Sequence, residues 1–301
     1  MNSKIETNVI KSMSEMERPS SIFSAIGTSS FSVTSAVKAA FEDHGFVLVQ
    51  GLLDFEEIGM LKDFVENDTT LMENSYGRSD GRGKESRLAL WNVAGDDLAG
   101  VVSRSQKVAG TMQALLGGEE IYHYHSKLMM KNARSGGAKL WHQDYGYWYK
   151  NGCLFPDMGS VFIAIDKCSR KNSCLQVLDG SHKMGRINHI LDGEQAGADP
   201  DRLGEAMKVF PRLYLEMEAG DALFFHSNIL HGSDQNLSDD RRWVLISSYN
   251  QRRNNPVKIH HHSQYHPLNI LPNSAIKGCQ VEQTSSIDKQ YMNPSDDISA
   301  K

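Results

Sequence analysis

Leu140-Trp141-His142-Gln143-Asp144 sets a histidine and a carboxylate two residues apart at the end of a short apolar segment. In a strand, residues two apart share a face. His142 and Asp144 can then reach one point while Gln143 turns away. A third ligand has to come from another strand on the same inner wall. His231 fits, because it follows the apolar run Leu223-Phe224-Phe225 after a short connector, and Gly232-Ser233 behind it lets backbone approach closely. Two imidazoles and one carboxylate can occupy one face of an Fe(II) ion and leave the other positions open for a co-substrate and dioxygen.

The surrounding pattern supports strands. Short strand candidates lie at 121–130, 140–144, 161–166, 175–178, 214–217, 222–226 and 243–249, with turn-like breaks at Ser135-Gly136-Gly137, Asp179-Gly180, Ala219-Gly220-Asp221 and Ser238-Asp239-Asp240. Evenly spaced short strands argue for a sandwich or barrel. An acidic insertion at about 190–210 interrupts them and carries a helix candidate at 201–209. Upstream, apolar spacing predicts a helix over 33–43 ended by Gly45, a buried strand at 46–49, and a helix over 54–66 opened by an Asp54/Glu57 capping box. Residues 73–95 read as an exposed loop, a candidate cover for the site. Residues 98–116 read as one helix stopped by Gly117-Gly118. The expected organisation is a flexible arm (1–30), a single domain (31–275) that is mainly β with flanking helices, and a polar tail (276–301).

The 301 residues are 40% hydrophobic and 23% charged, with a net charge of −5 and a pI near 6.2. That composition allows a sizeable core and gives no basic field for nucleic acid or anionic lipid. No apolar run is long enough to span a membrane. The N-terminus lacks a secretory core. Four cysteines without C-x-x-C spacing read as reduced thiols, which points to the cytoplasm.

Arg242 lies eleven residues after His231 and opens the strand Arg242-Trp243-Val244-Leu245-Ile246. Alternation places it with Val244 and Ile246, so it faces inward and needs an anionic partner. His226 is the rival to His231, and is read as a pocket or packing residue. His260-His261-His262 are consecutive and point in alternate directions. His123 and His125 are two apart and could line one cavity.

At these residues the chain resembles the phytanoyl-CoA dioxygenase family of Fe(II)/2-oxoglutarate oxygenases, over roughly residues 34 to 270. The likeness is carried by Glu42-Asp43-His44-Gly45-Phe46, Trp141-His142-Gln143-Asp144 with Tyr147-Trp148, Ser173-Cys174-Leu175-Gln176-Val177 with Gly180-Ser181-His182-Lys183, and Gly220-Asp221-Ala222-Leu223-Phe224-Phe225 leading to His231-Gly232-Ser233 and Arg242. It implies a double-stranded β-helix (a cupin-like jelly-roll) with iron on His142, Asp144 and His231. It also implies 2-oxoglutarate near Arg242 and Ser233, with Lys127 a further partner for the co-substrate or the substrate, dioxygen as oxidant, and ascorbate as reductant. The implied reaction is hydroxylation or another oxidation of a C–H bond, with release of succinate and CO2. Asp179 departs from the pattern, standing where the family usually has proline.

The substrate candidates are Tyr145, Tyr147 and Trp148 around the H-x-D segment, with Arg186, His226, Asn228 and Asn250 as polar groups. Aromatics with a few polar groups suit a small molecule, and the acidic net charge weighs against a CoA thioester. Nothing in the sequence specifies an oligomeric state. Two alternatives stay open. One is a cupin-like metalloenzyme that does not use 2-oxoglutarate, against which Arg242 argues. The other is a non-catalytic jelly-roll binding module, which has no need of three ligands in register.

Overall fold

The runs Phe46–Gln50 and Ala222–His226 are apolar at nearly every position because both faces of their sheet are covered. In the computed structural model, which describes residues 20–28, 30–279, 289–293 and 295, the chain begins with β1 (Ile22–Ser24), α1 (Ser35–His44), β2 (Phe46–Gln50), α2 (Phe55–Asn67) and α3 (Thr69–Glu73). Next come the hairpin β3 (Tyr76–Ser79) and β4 (Glu85–Trp91), then α4 (Leu98–Arg104) and α5 (Thr111–Leu115). Strands then dominate: β5 (Ile121–Lys131), β6 (Lys139–His142), the short helix α6 (Asp144–Trp148), β7 (Met158–Ala164), β8 (Leu175–Leu178), β9 (His189–Asp192) and β10 (Gln195–Ala198). Helix α7 (Pro200–Val209) leads into β11 (Arg212–Leu215), β12 (Ala222–His226), β13 (His231–Ser233), β14 (Arg242–Gln251) and α8 (Ser274–Lys277).

An eight-stranded sheet in the order β1-β2-β12-β7-β14-β5-β4-β3 faces a four-stranded sheet in the order β11-β8-β13-β6. Phe46, Leu48, Phe162, Val177, Leu223 and Phe225 fill the space between them. The alternate residues Val47, Val49, Val161, Ile163 and Phe224 point the other way, under the helices, against Val37, Phe41, Leu61 and Val102. Each fully buried side chain of this kind contributes about 1.5–3 kcal/mol. This is the expected jelly-roll.

Several local expectations hold. Gly45 ends α1 in the left-handed region (φ 78°), and Asp54 and Glu57 close a reciprocal capping box on α2. Others do not. Residues 73–95 are not an exposed loop. They form β3, paired with β4, and β4, paired with β5; the turn at 80–84 and the flanks 73–75 and 92–95 lie outside these strands. The expected helix over 98–116 breaks at Ser105, which is extended (ψ 153°). There the backbone leaves the helix to pair with Leu271, Gln106 N–H donating to Leu271 O and Leu271 N–H to Arg104 O, each at 2.8 Å. The strand expected over 140–144 stops at His142, and Asp144 opens α6.

Residues 1–19 of the expected arm lie outside the described residues, but its end forms β1, parallel to β2. Residues 280–288, 294 and 296–301 of the expected tail also lie outside them. Residues 289–293 are docked: Trp91 bridges Tyr291, and Met292 N–H donates to Leu90 O at 2.8 Å. Lys289, 1% exposed, stands 2.7 Å from Asp97 Oδ2 at an ion-pair distance but outside hydrogen-bonding angles. Its ammonium lies 4.2 Å from the Trp91 ring centre. Asp97 also caps α4 through Gly100 N–H. Lys289→Met leaves that carboxylate buried and unpaired, so urea unfolding is expected to show a loss of about 3 kcal/mol.

Candidate active site

Strands β13 and β6 run antiparallel, with His231 directly opposite His142. Facing residues on adjacent strands bring their side chains together, and the two imidazole centres lie 4.1 Å apart. Gln143, between strand and helix, is extended (ψ 136°), so Asp144 still projects beside His142. Asp144 Oδ1 is 3.6 Å from His142 Nε2 and 3.9 Å from His231 Nε2. All three ligand atoms fall within 4.8 Å of one another, and this is the one such group among the described residues. The expected set therefore converges, although through a strand end and a helix start rather than one continuous strand.

The local bonding prepares these groups for a cation. Nδ1 of His142 donates to Leu140 O (2.7 Å) and Nδ1 of His231 to Ile229 O (3.0 Å), which turns both Nε2 lone pairs toward Asp144. Burial, aided for His142 by the neighbouring His231, pulls both imidazoles below their usual range, so they stand neutral. Burial acts to raise the Asp144 pKa, but the contacts with His142 and His231 and the charge of Lys127 outweigh it, and the group stays ionised. Tyr147 Oη–H donates to Asp144 Oδ1 (2.7 Å) and Ser160 Oγ–H to Oδ2 (3.2 Å). Gln143 turns away as expected. Its amide donates to Gly185 O and Asn228 O and accepts from Ile187 N–H, tying three loops behind the ligands. His189 Nε2 accepts Gln143 N–H (2.8 Å), and a Cβ on Gly146 would lie 1.9–2.4 Å from that ring. The donor set fits a divalent first-row ion with open positions.

Deeper in the same cavity, Arg242 is 2% exposed; its Nε has no hydrogen-bond partner, and no carboxylate pairs with it among the described residues. Opposite it on β5 stands Lys131, 1% exposed, whose Nζ donates to Ser233 Oγ (2.8 Å), Asp234 O (2.6 Å) and Ser173 Oγ (3.1 Å). Burial lowers the pKa of both, and for Lys131 the neighbouring Arg242 lowers it further. Two buried cations with no carboxylate in ion-pair contact among the described residues form a seat for an anion. The sequence reading offered Lys127 for the co-substrate or the substrate and did not name Lys131. The strand alternation that turns Lys127 inward turns Lys131 inward too, but only the register shows which of them faces Arg242.

Of the substrate candidates, Tyr147 and Trp148 line the cavity. The other five do not. Tyr145 packs in an aromatic cluster and bonds Cys153 O. Arg186 stacks over Tyr149 at the surface. His226 faces His182 and Phe41 and accepts Asn228 N–H, and Asn250 bonds Tyr122 Oη and Asn254 O. Asn228 serves through its backbone carbonyl. Buried polar groups need partners, and Tyr145, Arg186, His226 and Asn250 use theirs for structure, while Asn228 Oδ1 is buried without one. A bulge at Tyr124 turns His123 away to Asn92 O and Ser126, so only His125 of that pair reaches the cavity. Leu88 and Leu90 of β4, Gln195 of β10, His262 and Met292 complete walls that the sequence reading left out. Asp179, the departure from the family pattern, bonds His44 Nδ1 at 2.8 Å across the loops.

Buried neutral histidines make stability acid-sensitive. Burial holds His123 and His226 down to about 3. The unfolded chain takes up these protons below about pH 6.5 and the folded one does not, so stability falls as pH drops through that range. At pH 5 each histidine costs about 2 kcal/mol relative to pH 8. Urea unfolding at pH 8 and pH 5 is expected to differ by at least that amount.

The family profile of phytanoyl-CoA dioxygenase (PhyH) matches residues 41–244. The chain is 31% identical over 178 residues to an L-proline trans-4-hydroxylase of Streptomyces griseoviridis, a match covering 54% of this chain and 66% of that one. It is 24% identical over 246 residues to an ectoine dioxygenase of Streptomyces avermitilis, covering 75% and 81%. In fold it is similar to EctD from S. alaskensis, solved with bound Fe, at TM-score 0.66 and 19% identity over 80% of this chain and 88% of that one. With its facing sheets and its His-Asp-His cluster, the chain belongs to the phytanoyl-CoA dioxygenase family, whose members are Fe(II)/2-oxoglutarate-dependent dioxygenases.

Proposed function

We propose that this Fe(II)/2-oxoglutarate-dependent dioxygenase holds its iron on His142, Asp144 and His231 and its co-substrate toward Arg242, Lys131 and Ser233. It oxidises a C–H bond of a small polar metabolite. The observation that carries the reading is one cavity of about 140 Å³ with the three ligands at one point on its wall and a buried, carboxylate-free pair of cations at another. Iron and 2-oxoglutarate, when bound, supply oxidation by dioxygen coupled to decarboxylation of the keto acid, with ascorbate as a reductant. The chain's own residues bind and orient. Tyr147 and Ser160 fix the Asp144 carboxylate, the backbone carbonyls of Leu140 and Ile229 fix the imidazoles, and Phe162 and Phe225 keep the deep wall apolar. No nucleophile or general base is required of the protein. Asp144 fills the position a halide would need, which favours hydroxylation over halogenation.

The relatives named for L-proline and ectoine support a small polar substrate. The reading places the chemistry in one domain that takes in β1 at one end and residues 289–293 at the other. Four free thiols suit the cytoplasm, and no described helix is long and apolar enough to cross a membrane. Succinate formation from 2-oxoglutarate is expected to stop on chelation and return with Fe(II) but not with Mg²⁺. Turnover that survives chelation would overturn the reading.

A further inference from the structure

We propose that the substrate is a zwitterionic amino or imino acid, its carboxylate held by Lys127 and its nitrogen by His125 and His262. This rests on the iron and 2-oxoglutarate reading above.

Arg78, Lys127, Lys131, Lys139 and Arg242 line the cavity, and Asp144 is the carboxylate on its wall. Asp234 and Asp80 act on Lys131 from outside that wall. A divalent ion and a dianionic co-substrate cancel each other and add no anion for Lys127. Lys131 and Arg242 sit together at the Ser233 end, and Arg78 donates to Glu194 O. Lys127 stands four residues from Lys131, on the order of 13 Å along the strand. Its neighbours in register are Ile246 and Leu90, both apolar and both on the cavity wall. Among the described residues its ammonium makes no hydrogen bond and no ion pair. His125 stands two residues before it on the same strand, and both line the one cavity with Asp144, His231 and His262. A half-buried cation among apolar neighbours is a seat for a carboxylate.

The imidazoles supply the complement, and the proton positions follow from the chain of bonds. Ser160 donates to Asp144, so Ser248 donates to Ser160 (2.9 Å), and His125 Nε2–H faces Ser248 Oγ (3.4 Å). That leaves His125 Nδ1 as a bare lone pair, buried in the cavity wall without a partner. Asn92 is oriented by its amide bond to His261 O, so its Oδ1 accepts from His262 Nδ1–H (3.2 Å), and His262 Nε2 is a second lone pair. The two rings stack at 4.5 Å, with Trp148 edge-on to His125 at 5.6 Å and its Nε1–H also unpartnered. Two neutral acceptors beside one cation match a positive N–H next to a carboxylate.

The test uses the iron-loaded full chain with 2-oxoglutarate. Free amino and imino acids, their N-acetyl forms and their methyl esters are compared by succinate formation in air and by thermal shift under anaerobic conditions. One or more free zwitterions are expected to stimulate turnover and raise the melting temperature, and acetylation or esterification should abolish both effects. Lys127→Met is expected to raise KM for that zwitterion about thirtyfold, more than it raises KM for 2-oxoglutarate; His125→Phe, which keeps the ring stack, should also weaken the zwitterion. If uncoupled turnover proceeds but no zwitterion stimulates or binds, the inference fails and the iron reading stands. A Lys127→Met effect that falls chiefly on 2-oxoglutarate overturns it as well. Absence of any 2-oxoglutarate turnover overturns the function itself.

Discussion

Asp144→Ala is expected to reduce succinate formation about a thousandfold while the chain stays folded. Removing one of three ligands removes the only formal negative charge facing the ion, and a loss of about 4 kcal/mol in metal affinity corresponds to three powers of ten. The fold does not depend on this carboxylate in the same way. Its oxygens accept from Tyr147 and Ser160, and Tyr147 lines the cavity, where water can take the place of the carboxylate beside the two imidazoles. Urea unfolding of the metal-free variant should therefore lie within about 2 kcal/mol of the parent. Tyr147→Phe is the graded control. It removes one hydrogen bond that orients the ligand but leaves the ligand in place, so the loss should be about ten- to a hundredfold. Equal losses in the two variants would mean that Asp144 acts by position alone and does not hold the ion.

The ligand set was readable in sequence because each member obeys a short-range rule. Two-residue spacing aligned His142 with Asp144, and the Gly232-Ser233 context singled out His231 over His226. The direct pairing of His231 with His142 across β13 and β6 was not readable, since register depends on the whole sheet. Arg242 was readable as a charge among apolar neighbours. Lys131 was hidden behind Lys127, as both obey the same alternation. β3 and β4 were missed because Gly, Ser, Arg and Asp dominate that region, and the apolar run that marks β4 is confined to its end, Leu88 to Trp91. The break at Ser105 depends on Leu271, far along the chain, and no local signal announces it. Asn250 and His226 looked like pocket groups because they are polar at the ends of apolar strands, yet each is committed to closing a loop or a strand end.

Arg242→Met is expected to separate binding from stability. A carboxylate held by a guanidinium through two charge-assisted bonds gains about 1.5–3 kcal/mol from each, so KM for 2-oxoglutarate should rise by roughly two to four powers of ten. Without co-substrate the same guanidinium is a liability. It is 2% exposed, lies 5.7 Å from the Phe162 ring centre, faces Lys131 and has no carboxylate partner, and burial already lowers its pKa. Methionine fills similar space with no charge to desolvate, so the co-substrate-free variant should be as stable as the parent or more stable by about 1–3 kcal/mol. Addition of 2-oxoglutarate should raise the melting temperature of the parent through mass action and leave that of the variant nearly still. This pattern of weaker co-substrate binding with an intact or firmer fold is what a guanidinium kept for its ligand produces. A guanidinium kept for structure produces the reverse, with Arg242→Met unfolding early and binding 2-oxoglutarate normally while folded, and that result would move the co-substrate's distal carboxylate to another part of the cavity.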